Sequence, residues 1–305
     1  MPIHPAITAM LAKARKHGLP AMSDGSPAQA RALLAQMRIV LGPGVEVGER
    51  RKIAIPTRSG SIPALLLMPF GRPAGFVTYL HGGGWVIGAP ADYEVLGRKL
   101  VAESGCALVI PDYRLAPEHP FPAGLEDCED ALLWSWRERL RLLGSDAPLV
   151  VAGDSAGGNL ATVIASALRD RVRLAGQILI YPVTDAGFDT QSYRDFGTDL
   201  PLSRDEIVWF FGHYAPEPAW TDPRIAPVRA ESVAGLPQAV VVTAEYDVLR
   251  DEAEAYAARL EAEGVPVVLR RYPGMTHGFI RLHDLVDTAG QAVRDLAQDL
   301  RRLCG

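Results

Sequence analysis

The sequence predicts an α/β fold with a mostly parallel β-sheet of eight strands. Short apolar runs rich in β-branched residues alternate with longer segments of helical periodicity, which is typical of βαβ units. Several runs are apolar almost throughout, as expected of strands that helices cover on both faces. The candidate strands are Arg51–Ile55, Pro63–Met68, Phe76–Leu80, Ala107–Ile110, Leu149–Ala152, Gln177–Tyr181, Ala239–Thr243 and Val265–Arg270. The first strands lack intervening helices and are expected to pair antiparallel at one edge, and the last strand is also expected at a sheet edge.

Capping and proline signals define the helices. One helix starts at Pro5 and is stopped by Gly18, and a second begins at Ser26-Pro27, a capping residue followed by a proline at the first helical position. Further helices are expected from about Ala91 to Ser104, from Pro122 to Gly144, and after Ser155, Arg250 and Asp284. A chain of 305 residues is long enough for two domains, but α/β folds of this length often form one unit.

Composition and charge narrow the functional class. Hydrophobic residues make up 48% and charged residues 22%, as in a globular protein with a sizeable core. The net charge of −5 argues against a broad nucleic-acid-binding surface. No apolar run approaches the roughly 18–20 residues that span a bilayer, and the N-terminal residues do not resemble a secretory signal. Three scattered cysteines without a C-x-x-C pair predict free, buried thiols and a cytoplasmic location: Cys106, Cys128 and Cys304.

The segment Gly153–Gly157 (GDSAG) matches the pattern G-x-S-x-G and lies between a predicted buried strand and a predicted helix. A sharp strand-to-helix turn strains its central residue, and glycines two positions to either side of the serine remove the clash. Such a turn holds the Ser155 hydroxyl at the carboxyl end of the sheet, where ligands bind in open α/β folds. The helix N-terminus beside it favours developing negative charge. Ser155 is therefore the candidate nucleophile, and a turn without chemistry is the alternative.

Three consecutive glycines follow the apolar strand that ends at Leu80, in the segment His81–Trp85 (HGGGW). Such a loop lets the backbone approach a ligand closely and point N–H groups at it, as stabilisation of a tetrahedral oxyanion requires. A phosphate-binding loop is the alternative, but neither G-x-x-x-x-G-K-[ST] nor G-x-G-x-x-G is present here. His81 itself lies inside the loop and is interpreted as a scaffold residue and not as a base.

A serine nucleophile needs a base, and the base needs an acid that orients it. In chains with this type of serine turn, the acid and then the histidine follow the serine. His277 and His283 are the histidines after the Ala239–Thr243 strand, and His277 is favoured because it lies in a loop just after the last strand. Asp247 follows a strand end and is the favoured acid. The competing acids are Glu245 and Asp251. Asp251 is more simply explained as an acidic residue in the first turn of a helix, where negative charge interacts favourably with the helix dipole.

A long insertion, from Asp185 to about Arg229, interrupts the alternation of strands and helices. Nine of the 22 aromatic residues fall between Tyr181 and Trp220. Within the insertion, Ser203–Glu206 is a capping box that precedes an apolar helical run. Long insertions in compact domains are usually functional, so this one is interpreted as a helical lid over the sheet. The alternative is a peripheral helix packed on the core.

Five motifs, in this order, resemble the hormone-sensitive-lipase family of α/β-hydrolase esterases, also known as family IV carboxylesterases. They are HGGGW, DYRLAPEHPFPA, GDSAGGN, AEYDVLRDE and HGF, and the resemblance covers nearly the whole chain. It implies Ser155 as nucleophile, His277 as general base and Asp247 as its partner. It also implies an oxyanion hole formed by the N–H groups of Gly83, Gly84 and Ala156.

The resemblance further implies a division of the chain into a catalytic core and a helical cap. The expected core is 48–185 and 221–305, and the expected cap is 1–47 and 186–220. Two residues depart from the family pattern. Val248 replaces the usual proline after the triad aspartate, and Ala253 replaces the glycine after Asp-Glu. Both affect loop geometry and leave the catalytic groups in place.

The sequence thus predicts a serine carboxylesterase that acts through an acyl-enzyme intermediate and needs no metal or organic cofactor. The aromatic-rich insertion suggests an enclosed pocket, which favours short- to medium-chain acyl groups over long-chain fats. An amide hydrolase or deacetylase could use the same residues, and a non-catalytic ligand-binding relative is a further alternative. The expected ligand is a small-molecule ester. A homodimer through the edge strand is a further hypothesis.

Overall fold

An eight-stranded sheet forms the centre of the protein, described here from a computed structural model of residues 1–305. Its strands are β1 (Glu49–Thr57), β2 (Gly60–Met68), β3 (Phe76–Leu80), β4 (Ala107–Pro111), β5 (Leu149–Asp154), β6 (Leu174–Ile180), β7 (Ala239–Tyr246) and β8 (Val267–Thr276). Across the sheet the order is β1-β2-β4-β3-β5-β6-β7-β8. β2 is antiparallel to β1 and to β4, whereas all other neighbours are parallel. The predicted strands, the antiparallel edge and the edge position of the last strand are confirmed.

The helices flank the sheet or connect its strands. They are α1 (Pro5–Lys16), α2 (Pro27–Leu41), α3 (Pro90–Ser104), α4 (Ala123–Leu143), α5 (Ala156–Ala167), α6 (Gln191–Phe196), α7 (Arg204–Tyr214), α8 (Arg250–Ala262) and α9 (Asp287–Cys304). The predicted caps are confirmed at two of them. Ser26 accepts the Gln29 N–H at the start of α2, and Ser203 accepts the Glu206 N–H at the start of α7. No helix combines the length and apolar character needed to cross a membrane.

Helices cover both faces of the sheet, which explains why the central strands are apolar throughout. α3 and α9 pack on one face, and α4, α5 and α8 pack on the other. Along β5, Leu149 and Val151 face the second of these layers, whereas Val150 and Ala152 face the first. All four side chains are buried. Two-sided burial of alternate residues holds β5 rigidly at the centre of the sheet.

The last strand is longer than the sequence predicted. β8 was expected to end at Arg270, with Pro273–Thr276 in a loop, and this expectation was wrong. A register shift near Ala244 allows Tyr246 to pair with Thr276, so the ladder continues past the proline. An edge strand tolerates proline because one row of its backbone groups has no neighbour to bond. His277 therefore follows directly on the strand.

The chain between β6 and β7 leaves the sheet and contains α6 and α7. α7 packs on the glycine-rich loop after β3. The ring of Tyr214 stacks on Trp85 with centroids 4.3 Å apart, and the ring of Phe211 meets Trp85 edge-on at 5.0 Å. The N-terminal segment joins this region, because the Met22 N–H donates to Glu206 at 3.1 Å. The insertion therefore lies over the carboxyl ends of the central strands, as the lid interpretation requires.

Candidate active site

Ser155 occupies the bend between β5 and α5. Its φ of 55° lies in the left-handed region, which is unusual for a residue other than glycine and marks a strained backbone. The Ser155 N–H donates to the carbonyl of Ile180 at the end of β6, at 2.8 Å, and so holds the bend against the neighbouring strand. The Ser155 residue is 7% exposed. The bend therefore presents a single hydroxyl at the carboxyl edge of the sheet.

The glycines on either side of the bend are required by close backbone contacts. A Cβ at Gly153 would overlap the carbonyl group of Gly157, and a Cβ at Gly157 would overlap the carbonyl oxygen of Leu80. β5, α5 and the end of β3 thus approach each other with no room for a side chain. This is the crowding that the sequence motif predicted.

A hydrogen-bonded chain connects Ser155 to the ends of β7 and β8. His277 Nε2 lies 3.0 Å from Ser155 Oγ, and His277 Nδ1 lies 2.7 Å from Asp247 Oδ2. Asp247 follows β7 and His277 follows β8, so the parallel sheet brings residues 122 positions apart into contact. The other Asp247 oxygen accepts the N–H of Leu249 at 3.0 Å. A carboxylate at Nδ1 holds the ring proton there and leaves Nε2 free to accept the serine proton.

The competing acids and the competing histidine lie elsewhere. Glu245 accepts the N–H of Gly274 at 2.7 Å, and Asp251 accepts the N–H of Ser192 at 2.7 Å. His283 is buried, with its Nδ1 3.2 Å from the carbonyl of Ile280. Each of the three is thus bonded to backbone away from Ser155. The structure brings together the residues that the sequence favoured.

Backbone amides without a hydrogen-bond partner occur in the glycine-rich loop and at the start of α5. Gly83 and Gly84 have φ values of 118° and 57°, and their N–H groups donate to no other group of the protein. Ala156 is the first residue of α5, where the N–H groups of a helix have no partner within it. Free amides near a serine hydroxyl are suited to bind an oxyanion.

Asp154 is a supporting residue of the glycine-rich loop that sequence reasoning missed. Its buried carboxyl accepts the N–H of Gly82 and the hydroxyl of Tyr79, both at 2.9 Å, and the hydroxyl of Tyr93 at 3.3 Å. Burial raises the pKa of Asp154 and the Tyr79 hydrogen bond opposes that rise. The residue immediately before the serine thus holds the glycine-rich loop in position. Its position next to Ser155 in the GDSAG motif could have indicated this role from the sequence.

His81 lies within this scaffold, and its ring makes no hydrogen bond to Ser155. The ring is fully buried between Tyr113 and Tyr93, with centroids 4.4 and 5.4 Å away, and its Nδ1 lies 2.8 Å from the carbonyl of Gly82. Burial lowers the pKa of His81 to about 4. The ring is therefore neutral at physiological pH and serves as a hydrogen-bonding support for the loop.

His81 is expected to make stability fall as pH is lowered from about 6.5 to about 4. In this range the unfolded chain binds a proton that the folded protein does not, because the pKa of His81 is about 4 in the fold. Chemical denaturation of His81→Gln should show a smaller loss across this range, by roughly 2–3 kcal/mol. His119→Gln, at an exposed position, is the control. Equal losses in wild type and His81→Gln would contradict the interpretation.

Gly84→Ala is expected to lower kcat for p-nitrophenyl acetate by roughly 10²- to 10³-fold, as loss of an oxyanion donor does. A Cβ at Gly84 would overlap the ring of Phe210 in α7, and the left-handed φ adds strain, so the loop must move. Gly212→Ala is the matched control, because a Cβ there meets no atom within 4 Å. Wild-type kcat in Gly84→Ala would exclude this amide from the reaction.

With the geometry established, comparison with known proteins identifies the family. A family model described as the α/β-hydrolase fold matches residues 77–281. The chain belongs to the hormone-sensitive-lipase-like α/β hydrolases. Its predicted fold class and family are thereby confirmed.

Several relatives at 30% identity or more cover most of this hydrolase. A carboxylic ester hydrolase, LipN, of Mycobacterium tuberculosis is 35% identical over 98% of this chain and 82% of its own. An ethyl acetate hydrolase of Pseudomonas putida is 36% identical over 82% of this chain and 81% of its own. The solved structure of a hyperthermophilic esterase from Pyrobaculum calidifontis superposes with a TM-score of 0.93 at 35% identity, covering 99% of both chains. The protein is a carboxylic ester hydrolase.

The two departures from the family pattern leave the acid in place. Val248 and Ala253 are fully buried. The carbonyl of Val248 accepts the hydroxyl of Ser192 in α6 at 2.6 Å, which ties the insertion to the loop that carries Asp247. Asp247 keeps its contact with His277 beside this substitution.

Proposed function

We propose that Ser155, His277 and Asp247 are the catalytic triad of a carboxylesterase that hydrolyses short- to medium-chain acyl esters. The proposal rests mainly on the hydrogen-bonded chain that joins the three residues. Asp247 Oδ2 lies 2.7 Å from His277 Nδ1, and His277 Nε2 lies 3.0 Å from Ser155 Oγ. A serine hydroxyl is a weak nucleophile near neutral pH and reacts when an oriented imidazole removes its proton.

In the first half of the reaction, Ser155 Oγ attacks the acyl carbonyl carbon while His277 Nε2 accepts the hydroxyl proton. The carbonyl oxygen becomes an oxyanion, which the amides proposed for the oxyanion hole stabilise: Gly83, Gly84 and Ala156. Asp247 stabilises the imidazolium and keeps its orientation. His277 then returns the proton to the leaving alkoxide, the alcohol departs, and the acyl group remains on Ser155.

In the second half, a water molecule takes the place of the alcohol. His277 Nε2 accepts a proton from this water as its oxygen attacks the acyl carbon, and the same amides receive the second oxyanion. Collapse of this intermediate breaks the bond to Ser155 Oγ, which regains its proton from His277. The carboxylic acid leaves and the starting state is restored.

We propose a division into a core, 48–185 and 221–305, and a cap, 1–47 and 186–220. Contacts between the two cap segments support it, since Met22 bonds to Glu206 and Arg15 bonds to Asp199. Arg31 of α2 reaches the core and donates to the carbonyl of Val86 at 2.8 Å. The beginning of α1 contacts the core near His277, because the His4 N–H donates to the carbonyl of Gly274. The N-terminal cap segment thus extends from the strand end that precedes His277 to the insertion.

Ser155 is enclosed by neighbouring side chains, which favours short- to medium-chain acyl groups. Phe210 lies directly against Gly84, so an aromatic ring limits the space beside the oxyanion loop. Phe210 is buried and Trp209 is half-buried in the same helix. The similarity to an ethyl acetate hydrolase also supports a short acyl group.

A series of p-nitrophenyl esters tests this preference. We expect kcat/KM to be highest for acyl groups of about two to six carbons and at least tenfold lower at about twelve, because added methylenes have no room. Phe210→Ala should move the optimum to longer chains. The anilide of the same acyl group is the control for amide hydrolysis. Activity that rises steadily to a C16 acyl group would contradict the enclosed pocket, and faster cleavage of the anilide would favour the amidase alternative.

The cellular location and assembly are further proposals. All three cysteines are free thiols, which supports a reducing, cytoplasmic location.

β8 is an edge strand with Leu269 45% exposed, which supports a homodimer formed through this edge. Light scattering after size exclusion should give a dimer mass for wild type and a monomer mass for Leu269→Lys. A monomeric wild type would contradict the dimer.

A further inference from the structure

Two cysteines that are far apart in the sequence meet at the edge of the sheet opposite Ser155. Cys106 Sγ and Cys304 Sγ lie 3.8 Å apart, although 198 positions separate the residues. Cys106 immediately precedes β4, and Cys304 is in the last turn of α9. Because β4 and β5 are parallel, the amino end of β4 is remote from the serine at the carboxyl end of β5. The catalytic reaction makes no use of this pair.

Gly75 leaves space for the two sulfur atoms because it has no side chain. A Cβ at Gly75 would overlap Cys304 Sγ and lie 3.3 Å from Cys106 Sγ, so only glycine fits beside the pair. A disulfide requires a sulfur–sulfur distance of about 2.05 Å. The two sulfur atoms must therefore approach by less than about 2 Å. A small rotation in the last turn of α9 supplies such a displacement, because helix ends are less tightly held than helix centres.

The two thiols differ in access and in acidity. Cys304 is half-buried and lines an open cavity of about 530 Å³ between the ends of α4 and α9, whereas Cys106 is buried. Hydrogen bonding to Cys304 lowers the pKa of Cys106, with further contributions from Ser104 and the Arg301 guanidinium, while burial opposes the shift. The hydrogen bond to Cys106 and burial raise the pKa of Cys304 well above its usual range. An oxidant enters beside Cys304, the Cys106 thiolate 3.8 Å away reacts with it, and Cys304 supplies the resolving thiol.

We propose that Cys106 and Cys304 are a reversible oxidation site that forms a disulfide between β4 and α9. Hydrogen peroxide transfers one oxygen atom to the Cys106 thiolate, giving a sulfenic acid and hydroxide. The Cys304 thiol loses its proton to that hydroxide, which becomes one water molecule, and its sulfur attacks the sulfenic sulfur. The S–S bond forms, and the sulfenic oxygen leaves as hydroxide, which takes up the proton that Cys106 released on ionising and becomes a second water molecule. In total, two thiols and one peroxide give one disulfide and two water molecules. A dithiol reductant restores both thiols.

The bond is expected to stabilise the fold without changing catalysis. It closes a loop of about 200 residues, and disulfides that close long loops restrict the unfolded chain most strongly. It also fixes the end of α9, which packs on α3 and covers one face of the sheet. For a chain of this size the melting temperature should rise by roughly 3–6 °C.

The experiment compares full-length protein before and after treatment with hydrogen peroxide. Thiol titration in denaturant should fall from three groups to one, because Cys128 is fully buried and away from the pair. Peptide mapping without reductant should show a Cys106–Cys304 cross-link. Dithiothreitol should return both the thiol count and the melting temperature to their starting values. Initial rates of ester hydrolysis at 25 °C should be the same in both states.

Variants distinguish this site from general oxidation. Cys128→Ser should still form the cross-link and show the thermal shift, whereas Cys304→Ser and Cys106→Ser should show neither. Over-oxidation of Cys304 with Cys106 still reduced, or disulfide-linked dimers through Cys304, would overturn the proposal. So would a cross-link that leaves the melting temperature unchanged, because the stabilising role would then be absent.

Discussion

Ser155→Ala is expected to lower kcat for p-nitrophenyl acetate by roughly 10⁴- to 10⁶-fold, which is the loss that removal of a serine nucleophile produces. The variant keeps the backbone amides, so substrate still binds but no acyl-enzyme can form. The fold should persist, because the side chain is small and the bend is held by the Ser155 N–H bond to Ile180. Steady-state kinetics measure the loss, and circular dichroism measures the fold.

Ser61→Ala is the matched control, since Ser61 is exposed on β2 and far along the sheet from β5. Its kcat and melting temperature should equal those of wild type. A folded Ser155→Ala protein with more than about one tenth of wild-type turnover would remove Ser155 from the mechanism, because loss of a serine nucleophile costs several orders of magnitude in kcat.

His277→Ala is expected to lower kcat by roughly 10³- to 10⁶-fold, because no other group accepts the Ser155 proton. The residual rate should come from the amides proposed for the oxyanion hole and from substrate binding. Asp247→Asn should lose roughly 10⁴-fold, because an amide donor at Nδ1 reverses the imidazole tautomer and places a hydrogen on Nε2. The 2.7 Å contact between Asp247 and His277 makes the two losses non-additive.

His283→Gln separates the two histidines that follow β7. His283 is buried beside Ile280 and bonded to its carbonyl, so its substitution should affect stability and leave kcat near that of wild type. A large loss of kcat in His283→Gln together with near-normal turnover in His277→Ala would reverse the assignment of the base.

Local sequence patterns predicted the sheet and the central residues of the site because both depend on short-range signals. β5 is apolar at successive positions since helices cover both of its faces, which is typical of a buried parallel strand. Ser155, Asp247 and His277 each directly follow a strand. In a parallel sheet the carboxyl ends of strands meet at one edge, so the predicted strands placed Ser155 and Asp247 there, and His277 was expected in the loop after the last strand.

Features that depend on tertiary contacts could not be predicted in the same way. Asp154 contacts Tyr79, Tyr93 and Gly82, and no local pattern pairs an aspartate with tyrosines more than 60 positions away. The extension of β8 through Pro273 depends on a register shift in its neighbour. The contact between Cys106 and Cys304 depends on where α9 ends on the sheet. Each requires knowledge of how separate elements pack.

Covalent labelling is the most direct test of the claim that Ser155 is an activated nucleophile. Incubation with diethyl p-nitrophenyl phosphate should add one diethylphosphoryl group per chain, release p-nitrophenolate and abolish ester hydrolysis. Peptide mass spectrometry should locate the group on Ser155, and Ser155→Ala should take up none. A phosphoryl group on another residue, or a fully labelled protein that still hydrolyses esters at the wild-type rate, would contradict the account.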